Sequence, residues 1–137
     1  MALPVSGGGY QIGDGNVNEA FLMDQGDPAT PTATATLTTA QIATQLMVAN
    51  PGTSAASYTL PLGTDMDTAF PNAKVNSTVA FTIINIGTSS GAITMVTNTG
   101  WGTLANTGSV TIAIGTSAQF ICRRTAAGTW TLYRTCL

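Results

Sequence analysis

The sequence predicts an all-β fold: a single β-sandwich or jelly-roll-like domain of about eight short strands, preceded by an extended N-terminal arm. Apolar and polar residues alternate in several segments, which is the pattern of strands with one buried face. These segments are rich in Thr, Val and Ile, which suit a pleated sheet. Glycine-rich turns separate them at a spacing of roughly 8–12 residues, which is typical of sandwiches and barrels.

Residues 1–32 are predicted to form the arm, and residues 33–137 the sandwich domain. Glycine and proline recur so often in the arm that no regular element can extend there. A disordered tail is the alternative interpretation, but such tails usually lack large apolar side chains. We therefore expect the arm to dock on other protein through its apolar anchors, which are Leu3, Val5, Tyr10, Ile12, Phe21 and Leu22.

The first elements of the domain are predicted between residues 33 and 60. Residues 33–38 alternate Ala with Thr, as a strand does. Residues 39–45 can make one or two helical turns, with Thr38 or Thr39 as the N-cap. Residues 46–49 form a short strand that ends at an Asn-Pro-Gly turn, and residues 56–60 form another that ends at a proline.

A second helix and the longest apolar strand are predicted next. Residues 64–70 suit a short helix, capped by Thr64 and closed before a proline. Residues 77–86 alternate in the manner of a strand with one buried face. Ile84 and Ile86 nevertheless place apolar side chains on the opposite face of this strand as well.

The last strands are predicted at residues 93–97, 110–114, 118–123 and 129–134. The final two form a hairpin around an Ala-Ala-Gly turn. Alternation within this hairpin places three side chains on its buried face, namely Phe120, Trp130 and Leu132.

Charge is scarce and sorted by sign along the chain. Only 7% of the 137 residues are charged, with six acids, four bases and no histidine, whereas an average domain carries about 25%. All the acids precede all the bases, so we expect the acidic arm to meet the basic terminal hairpin of a neighbouring subunit. A solvated face is the alternative interpretation of these bases. The residues concerned are Asp14, Glu19, Asp24 and Asp27 in the arm, and Arg123, Arg124 and Arg134 in the hairpin.

Several classes of function are excluded by composition. The four bases are dispersed and the pI is about 4.5, so we expect no nucleic-acid partner. No apolar run approaches the 18 or so residues of a membrane span, and the N-terminus has no features of a secretory signal. With no histidine and a single lysine, Lys74, acid–base and nucleophilic groups are few. We expect no enzymatic activity, no catalytic residue and no cofactor.

The close carboxylate pairs are not expected to bind metal. A calcium site needs several more oxygen ligands at fixed spacing, and these are missing. Asp65 and Asp67 are explained more simply as acids near a helix N-terminus, where the helix dipole favours them. A zinc site is not expected either, because the chain has no histidine and its two cysteines lie apart.

Cys122 and Cys136 are predicted to be free thiols. In the hairpin register Cys122 lies opposite about Thr131, while Cys136 lies beyond Ala118. Bridged Cα atoms must be within about 7 Å of each other, so the two are too far apart. Trp101, flanked by glycines, has two interpretations that stay open: it plugs the end of the core, or it stacks on a sugar from an exposed loop.

Several segments of the chain resemble a small β-module of tailed-bacteriophage virions, found among capsid decoration (cement) proteins and among head-fibre and tail proteins. The resemblance covers roughly residues 36–135. It is a pattern of apolar and turn positions, carried by Tyr-Thr-Leu-Pro at 58–61, Ala-Phe-Pro-Asn-Ala-Lys-Val at 69–75, Phe-Thr-Ile-Ile-Asn at 81–85, the Trp101 loop and Trp-Thr-Leu-Tyr-Arg at 130–134.

The resemblance implies a homotrimer or other oligomer on the outer capsid surface of a virion, made in the host cytoplasm. Its partner there is the major capsid protein, which the arm would grip. The alternatives are a carbohydrate-binding module that uses Trp101 or Tyr133 on a glycan, and a structural module of a head fibre, tail or baseplate.

Overall fold

A computed structural model describes residues 25–102 and 110–136 of the chain. The all-β prediction is confirmed, since the strands form two sheets of four. Sheet I consists, in spatial order, of β1 (Ala35–Thr36), β3 (Ala56–Thr59), β5 (Ile93–Val96) and β6 (Thr111–Ile112). Sheet II consists of β2 (Leu46–Ala49), β4 (Thr78–Asn85), β7 (Ser117–Ala126) and β8 (Thr129–Cys136).

Two short helices accompany the sheets, α1 (Thr39–Ala43) and α2 (Gly63–Ala69). The predicted cap of α1 is confirmed: the Thr38 hydroxyl accepts from the Gln41 amide at 3.1 Å, and the Gln41 side chain accepts from the Thr38 amide at 2.8 Å. This reciprocal pair satisfies two backbone donors that a helix N-terminus leaves open. In the part of the chain that the structure describes, no helix is long and apolar enough to cross a membrane.

The chain alternates between the sheets, and this sets the direction of several pairings. The first five strands lie in sheets I, II, I, II and I in turn. Neighbours within a sheet are therefore two strands apart in the sequence, and β1–β3, β3–β5 and β2–β4 all pair in parallel. The β4–β7, β5–β6 and β7–β8 pairs are antiparallel. An alternating pattern shows which face of a strand is buried but not which way its neighbour runs.

The core lies between the two sheets. Phe120, Trp130 and Leu132 are buried there, as predicted from the terminal hairpin. Phe81 of β4 lies directly beside Phe120 of β7, with the ring centroids 5.4 Å apart and stacked. Sheet I contributes Tyr58, whose hydroxyl donates to the Pro31 carbonyl at 3.1 Å; burial raises the pKa of this phenol.

The start of α2 differs from the prediction. The helix begins at Gly63, the N-cap is Leu62, and no side chain caps it, so the assignment of Thr64 as cap is wrong. Tertiary contacts decide this boundary. A Cβ on Gly63 would collide with the Gly128 carbonyl and lie 2.7 Å from the Gly100 carbonyl, so the backbone at this point lies directly against two loops.

A buried amide joins the two sheets at the end of β4. Asn85 is fully buried, and its Nδ2 donates to the Ile112 carbonyl of β6 at 3.0 Å and to the Gly91 carbonyl at 2.9 Å. Its Oδ1 accepts from the Gly87 amide at 2.9 Å. Every polar atom of this side chain has a partner, so its burial carries no penalty for an unmet hydrogen bond.

Both cysteines are free thiols, as predicted. Cys122 is buried opposite Leu132, one residue from the predicted register, and burial raises the pKa of its thiol. Cys136 is exposed and lies opposite Gln119 at the far end of the hairpin.

Candidate functional site: the outer face of sheet II

Sheet II has an apolar surface on the side away from the core. Its inward side chains alternate with outward ones along every strand. Six of the outward side chains are aliphatic or aromatic. We call this set the outer aliphatic face, and it consists of Leu46, Val48, Ala80, Ile84, Ile121 and Tyr133.

These residues come together because strand register aligns them. Val48 of β2 lies directly beside Ile84 of β4. Ala80, Ile121 and Tyr133 form a second row across three strands. Ile84 is 37% exposed, and Ile86, at the rim, is 49% exposed. A sheet that faces water on one side normally carries polar residues there. Thr82 and Gln119 lie between these two rows, so the apolar side chains are interspersed with polar ones, but their number favours contact with other protein.

The outer face of sheet I is different in chemistry. Hydroxyl side chains predominate there, in the rows Thr36–Thr59 and Ser57–Thr94–Thr111, with Val96 as the exposed apolar exception. The outer face of sheet II also carries polar side chains, among them Thr82 and Gln119, but it has six apolar ones where the outer face of sheet I has Val96. The difference indicates that sheet I is suited to solvent and sheet II to a partner.

One charged side chain borders the outer aliphatic face. Arg123 of β7 donates from Nη1 to the Asn76 side-chain oxygen at 2.9 Å, and its guanidinium carbon lies 5.7 Å from the centre of the Tyr133 ring. This cation–π contact holds the positive charge over the aromatic edge of the face. An apolar partner that carries an acid therefore suits this corner.

Arg124 has an intramolecular role instead of the predicted intersubunit one. Its Nε and Nη2 donate to the two carboxylate oxygens of Asp67 at 2.8 and 2.7 Å. The same carboxylate accepts from the Trp130 indole at 2.9 Å and the Gly128 amide at 2.7 Å. Arg124 also donates to the Ala73 carbonyl at 3.0 Å. This group of contacts, the Asp67 clamp, ties α2 to the terminal hairpin and leaves the Arg124 guanidinium already paired.

The pKa of Asp67 is lowered well below its ordinary range by the hydrogen bonds from Arg124, Gly128 and Trp130. A carboxylate whose folded-state pKa is depressed stabilises the fold above the unfolded-state pKa of about 4, and that stability is lost as the pH falls below it. The side chains of Asp67 and Arg124 are 23% and 17% exposed, so water screens part of the attraction.

We expect Asp67→Asn to lower the free energy of unfolding at pH 7 by on the order of 1–3 kcal/mol, the range for hydrogen bonds to a charged group. The unfolding midpoint in urea, measured from pH 7 down to pH 2, should fall less steeply for the variant than for the parent protein. Asp65→Asn, on the exposed side of the same helix, is the control and should follow the parent curve. Parallel curves for parent and Asp67→Asn would contradict the assignment.

Arg134 and Asp27 are the other predicted electrostatic residues within the described ranges. Arg134 donates to the Thr111 carbonyl at 2.9 Å and to the Cys136 carbonyl at 3.0 Å, so it links β8 to the edge of sheet I. Asp27 is exposed. The arm residues predicted to contact a capsid, and the three other arm acids, lie outside the described residues; they are Leu3, Val5, Tyr10, Ile12, Phe21, Leu22, Asp14, Glu19 and Asp24.

Trp101 packs against the core, which supports the plug interpretation. Its indole nitrogen donates to the Pro61 carbonyl at 2.6 Å, and its backbone forms a bridge with Trp130. These two contacts anchor the ring and its backbone within the domain. Tyr133, the other aromatic considered for glycan binding, lies in the outer aliphatic face beneath Arg123.

Two shallow grooves flank the helices. The larger, of about 490 Å³, lies between the N-terminal ends of the two helices and includes Thr38, Leu62 and Asp65. The smaller, of about 340 Å³, lies where the chain leaves α2 and includes Phe70 and Val79. Within residues 25–102 and 110–136, no three His, Cys, Asp or Glu side chains are grouped so that they would hold a metal ion.

Comparison with known proteins identifies no relative: no protein family, no curated protein and no solved structure matches this chain significantly. The candidate site therefore rests on its own geometry. The sequence analysis did not predict the outer aliphatic face as a site. The feature that could have indicated it is the presence of two apolar residues, Ile84 and Ile86, on the face of their strand that points away from the core.

Proposed function

We propose that the protein is a bacteriophage capsid decoration protein that binds the outer surface of the mature head and stabilises it between major capsid protein subunits. It acts there as a homotrimer, without turnover of a substrate. The observation that carries the proposal is the outer aliphatic face, a set of six apolar side chains on the outside of sheet II with one charged neighbour, Arg123. The virion-module resemblance of residues 36–135 supports the same assignment.

The chemistry of the outer aliphatic face suits docking on a protein shell. Burial of apolar surface contributes about 25 cal/mol per Å², whereas burial of unpaired charges opposes binding. Of the outward side chains on the four strands, six are aliphatic or aromatic, most of the others are Thr or Ser, and Arg123 is the one that carries a charge. A partner can therefore cover the centre of the face without removing ions from water.

The internal ties of the domain support such a contact because they keep the face preorganised. The Asp67 clamp fixes β7 and β8 against α2, and Asn85 joins β4 to sheet I. A surface that is already ordered loses little conformational entropy when it binds. Many copies, each touching several capsid subunits, then multiply modest contacts into avidity.

Stabilisation follows from differential binding. A protein that binds the expanded, mature lattice better than free or immature subunits shifts the equilibrium toward the mature shell. Each copy needs only modest affinity, because the effect sums over the particle.

The test uses heads assembled without the protein, to which purified protein is added back. We expect added protein to raise the temperature at which the heads rupture. Ile84→Lys, which places a charge within the outer aliphatic face, should bind at least about tenfold more weakly, a loss of about 1.4 kcal/mol. Thr94→Lys, on the outer face of sheet I, is the matched control and should act like the parent protein.

Three results would contradict the proposal. The first is an unchanged rupture temperature on adding the parent protein, and the second is equal binding by Ile84→Lys and the parent. The third is a copy number of a dozen or fewer in virions counted by mass spectrometry, which would favour a tail or fibre component. Glycan-array binding that is lost in Tyr133→Ala would favour the carbohydrate-binding alternative.

A further inference from the structure

We propose that copies of this chain bind one another head to tail through the two ends of α2. The start patch consists of Leu62 and Asp65. The end patch consists of Lys74, Val75 and the smaller groove beside them. Each patch offers what the other lacks, so the start patch of one copy fits the end patch of the next. Closure of this contact into a ring of three rests on the proposed function, whereas the contact itself is tested without phage heads.

The start patch presents an aliphatic side chain with an acid beside it. Leu62 is the N-cap of α2 and is 39% exposed, and Asp65 is exposed three positions further along. Residues at this spacing lie on the same side of a helix, and both line the larger groove. The Asp65 amide donates to the Leu62 carbonyl at 3.0 Å, which holds the two residues together. The start patch therefore offers an apolar group and a negative charge at adjacent positions.

The end patch presents a recess with a base at its rim. Five of the eight residues that line the groove of about 340 Å³ are apolar, and the other three are polar and uncharged. Two of the apolar ones, Phe70 and Val79, pack against the core. Lys74 and Val75 lie in the adjoining turn, where the Lys74 amide donates to the Ser77 hydroxyl at 2.9 Å. Val75 is 57% exposed. An aliphatic side chain can enter this recess while an acid beside it meets Lys74.

Charge favours a second copy as the occupant of the end patch. Within residues 25–102 and 110–136, the side chains of Asp65 and Lys74 form no hydrogen bond or ion pair in their own copy. The three other bases, Arg123, Arg124 and Arg134, already donate to groups of their own domain. Lys74 is therefore the base left for an outside acid. Asp65 of a neighbouring copy supplies one with an aliphatic group beside it, and opposite charges fix the register of such a contact.

The contact joins different copies because the two patches are held apart in each one. The seven residues of α2 span about 10 Å, and the Asp67 clamp fixes this helix against the terminal hairpin. Since the patches differ, the contact is heterologous, and such contacts form a ring where the rotation closes. A ring of three gives every copy two contacts, and it uses no residue of the outer aliphatic face.

Charge reversal tests the contact in the free protein, by sedimentation over a range of protein concentrations. We expect the parent to form trimers as its concentration rises. Asp65→Lys and Lys74→Asp should each weaken self-association about tenfold, because like charges then face each other. The double variant Asp65→Lys/Lys74→Asp should associate like the parent, because opposite charges meet again. Thr94→Lys, on the outer face of sheet I, is the control for added positive charge and should also associate like the parent.

The apolar half of the contact is tested separately. Leu62→Ser should weaken self-association several-fold, whereas Leu62→Met, which still places an apolar chain in the recess, should weaken it less. Below the concentration at which copies associate, Asp65 makes no such contact, so Asp65→Asn serves there as the unfolding control for Asp67→Asn.

Four results would overturn the proposal. They are a parent that stays monomeric at every concentration, a parent that stops at dimers, single reversals that associate like the parent, and a double variant as weak as the single ones. A dimer counts against the contact because a head-to-tail pair leaves one patch open at each end. Intact self-association together with a failure to bind heads would overturn the proposed function alone.

Discussion

Replacing Trp130 with Ala is expected to lower the free energy of unfolding by about 3–5 kcal/mol, the cost of removing a large aromatic side chain from a packed core. Trp130 is fully buried, and the Phe70 ring lies 6.4 Å away, centroid to centroid. Its indole nitrogen also donates to Asp67 at 2.9 Å, so the truncation removes one hydrogen bond of the Asp67 clamp together with the packing. Urea unfolding monitored by circular dichroism measures the loss.

Two further variants separate the contributions of Trp130. Trp130→Phe keeps most of the ring volume but loses the hydrogen bond to Asp67, so it should cost less than the Ala variant. Tyr133→Ala, on the opposite face of the same strand, is the matched control and should cost clearly less because that side chain is only half-buried. A loss below about 1 kcal/mol for Trp130→Ala would show that the facing of β8 is wrong.

Asn85→Asp is expected to destabilise the fold by about 3–5 kcal/mol at pH 7, the range for an uncompensated buried charge. The Asn85 Nδ2 donates to two carbonyl oxygens, of Gly91 and Ile112. An ionised carboxylate has no proton to give either of them, and it is fully desolvated. Lowering the pH through the carboxyl pKa should restore part of the loss, because a protonated acid donates one hydrogen bond. Stability of the variant should therefore rise as the pH falls from 7 to about 4.

Asn50→Asp is the matched control for this change. Asn50 is exposed, and its Oδ1 accepts from the Gly52 amide at 3.1 Å, a role that a carboxylate also fills. This control should remain within about 0.5 kcal/mol of the parent protein. Equal stability of Asn85→Asp and Asn50→Asp at pH 7 would contradict the role of Asn85 as the tie between the sheets.

The inner and outer faces of the two sheets have different roles. Their inner faces form the core. The hydrogen bonds of Asp67 join α2 to the terminal hairpin, and those of Asn85 join β4 to β6 of sheet I. Their outer faces differ within the described residues: that of sheet II carries six apolar side chains among polar ones, whereas that of sheet I carries mainly hydroxyl side chains. The proposed function follows from this difference.

Local pattern predicted most of the secondary structure. Each of the eight strands lies where alternation and turn residues place it, and the Thr38 cap of α1 follows from a helix-capping residue at the right position. The burial of Phe120, Trp130 and Leu132 could also be predicted from the sequence, because the side chains of a strand alternate between its two faces. These features depend on residues a few positions apart, and a sequence displays such relations directly.

The site features depend on long-range neighbours, which local pattern does not specify. The Asp67 clamp joins residues 57 to 63 positions apart, so Asp67 looked like an acid of a helix terminus and Arg124 like a base free for a partner. The start of α2 is set by the backbones of Gly100 and Gly128, two distant loops.

By itself, the sequence determined that this is an all-β protein, poor in charge, with a buried face on each long strand and a capped first helix. Only the tertiary structure decided that three strand pairs run parallel, and that Val48, Ile84, Ile121 and Tyr133 meet on one outer face. The physical reason is the crossing of the chain between sheets: it makes strand neighbours of segments that are distant in sequence, and register then aligns their outward side chains.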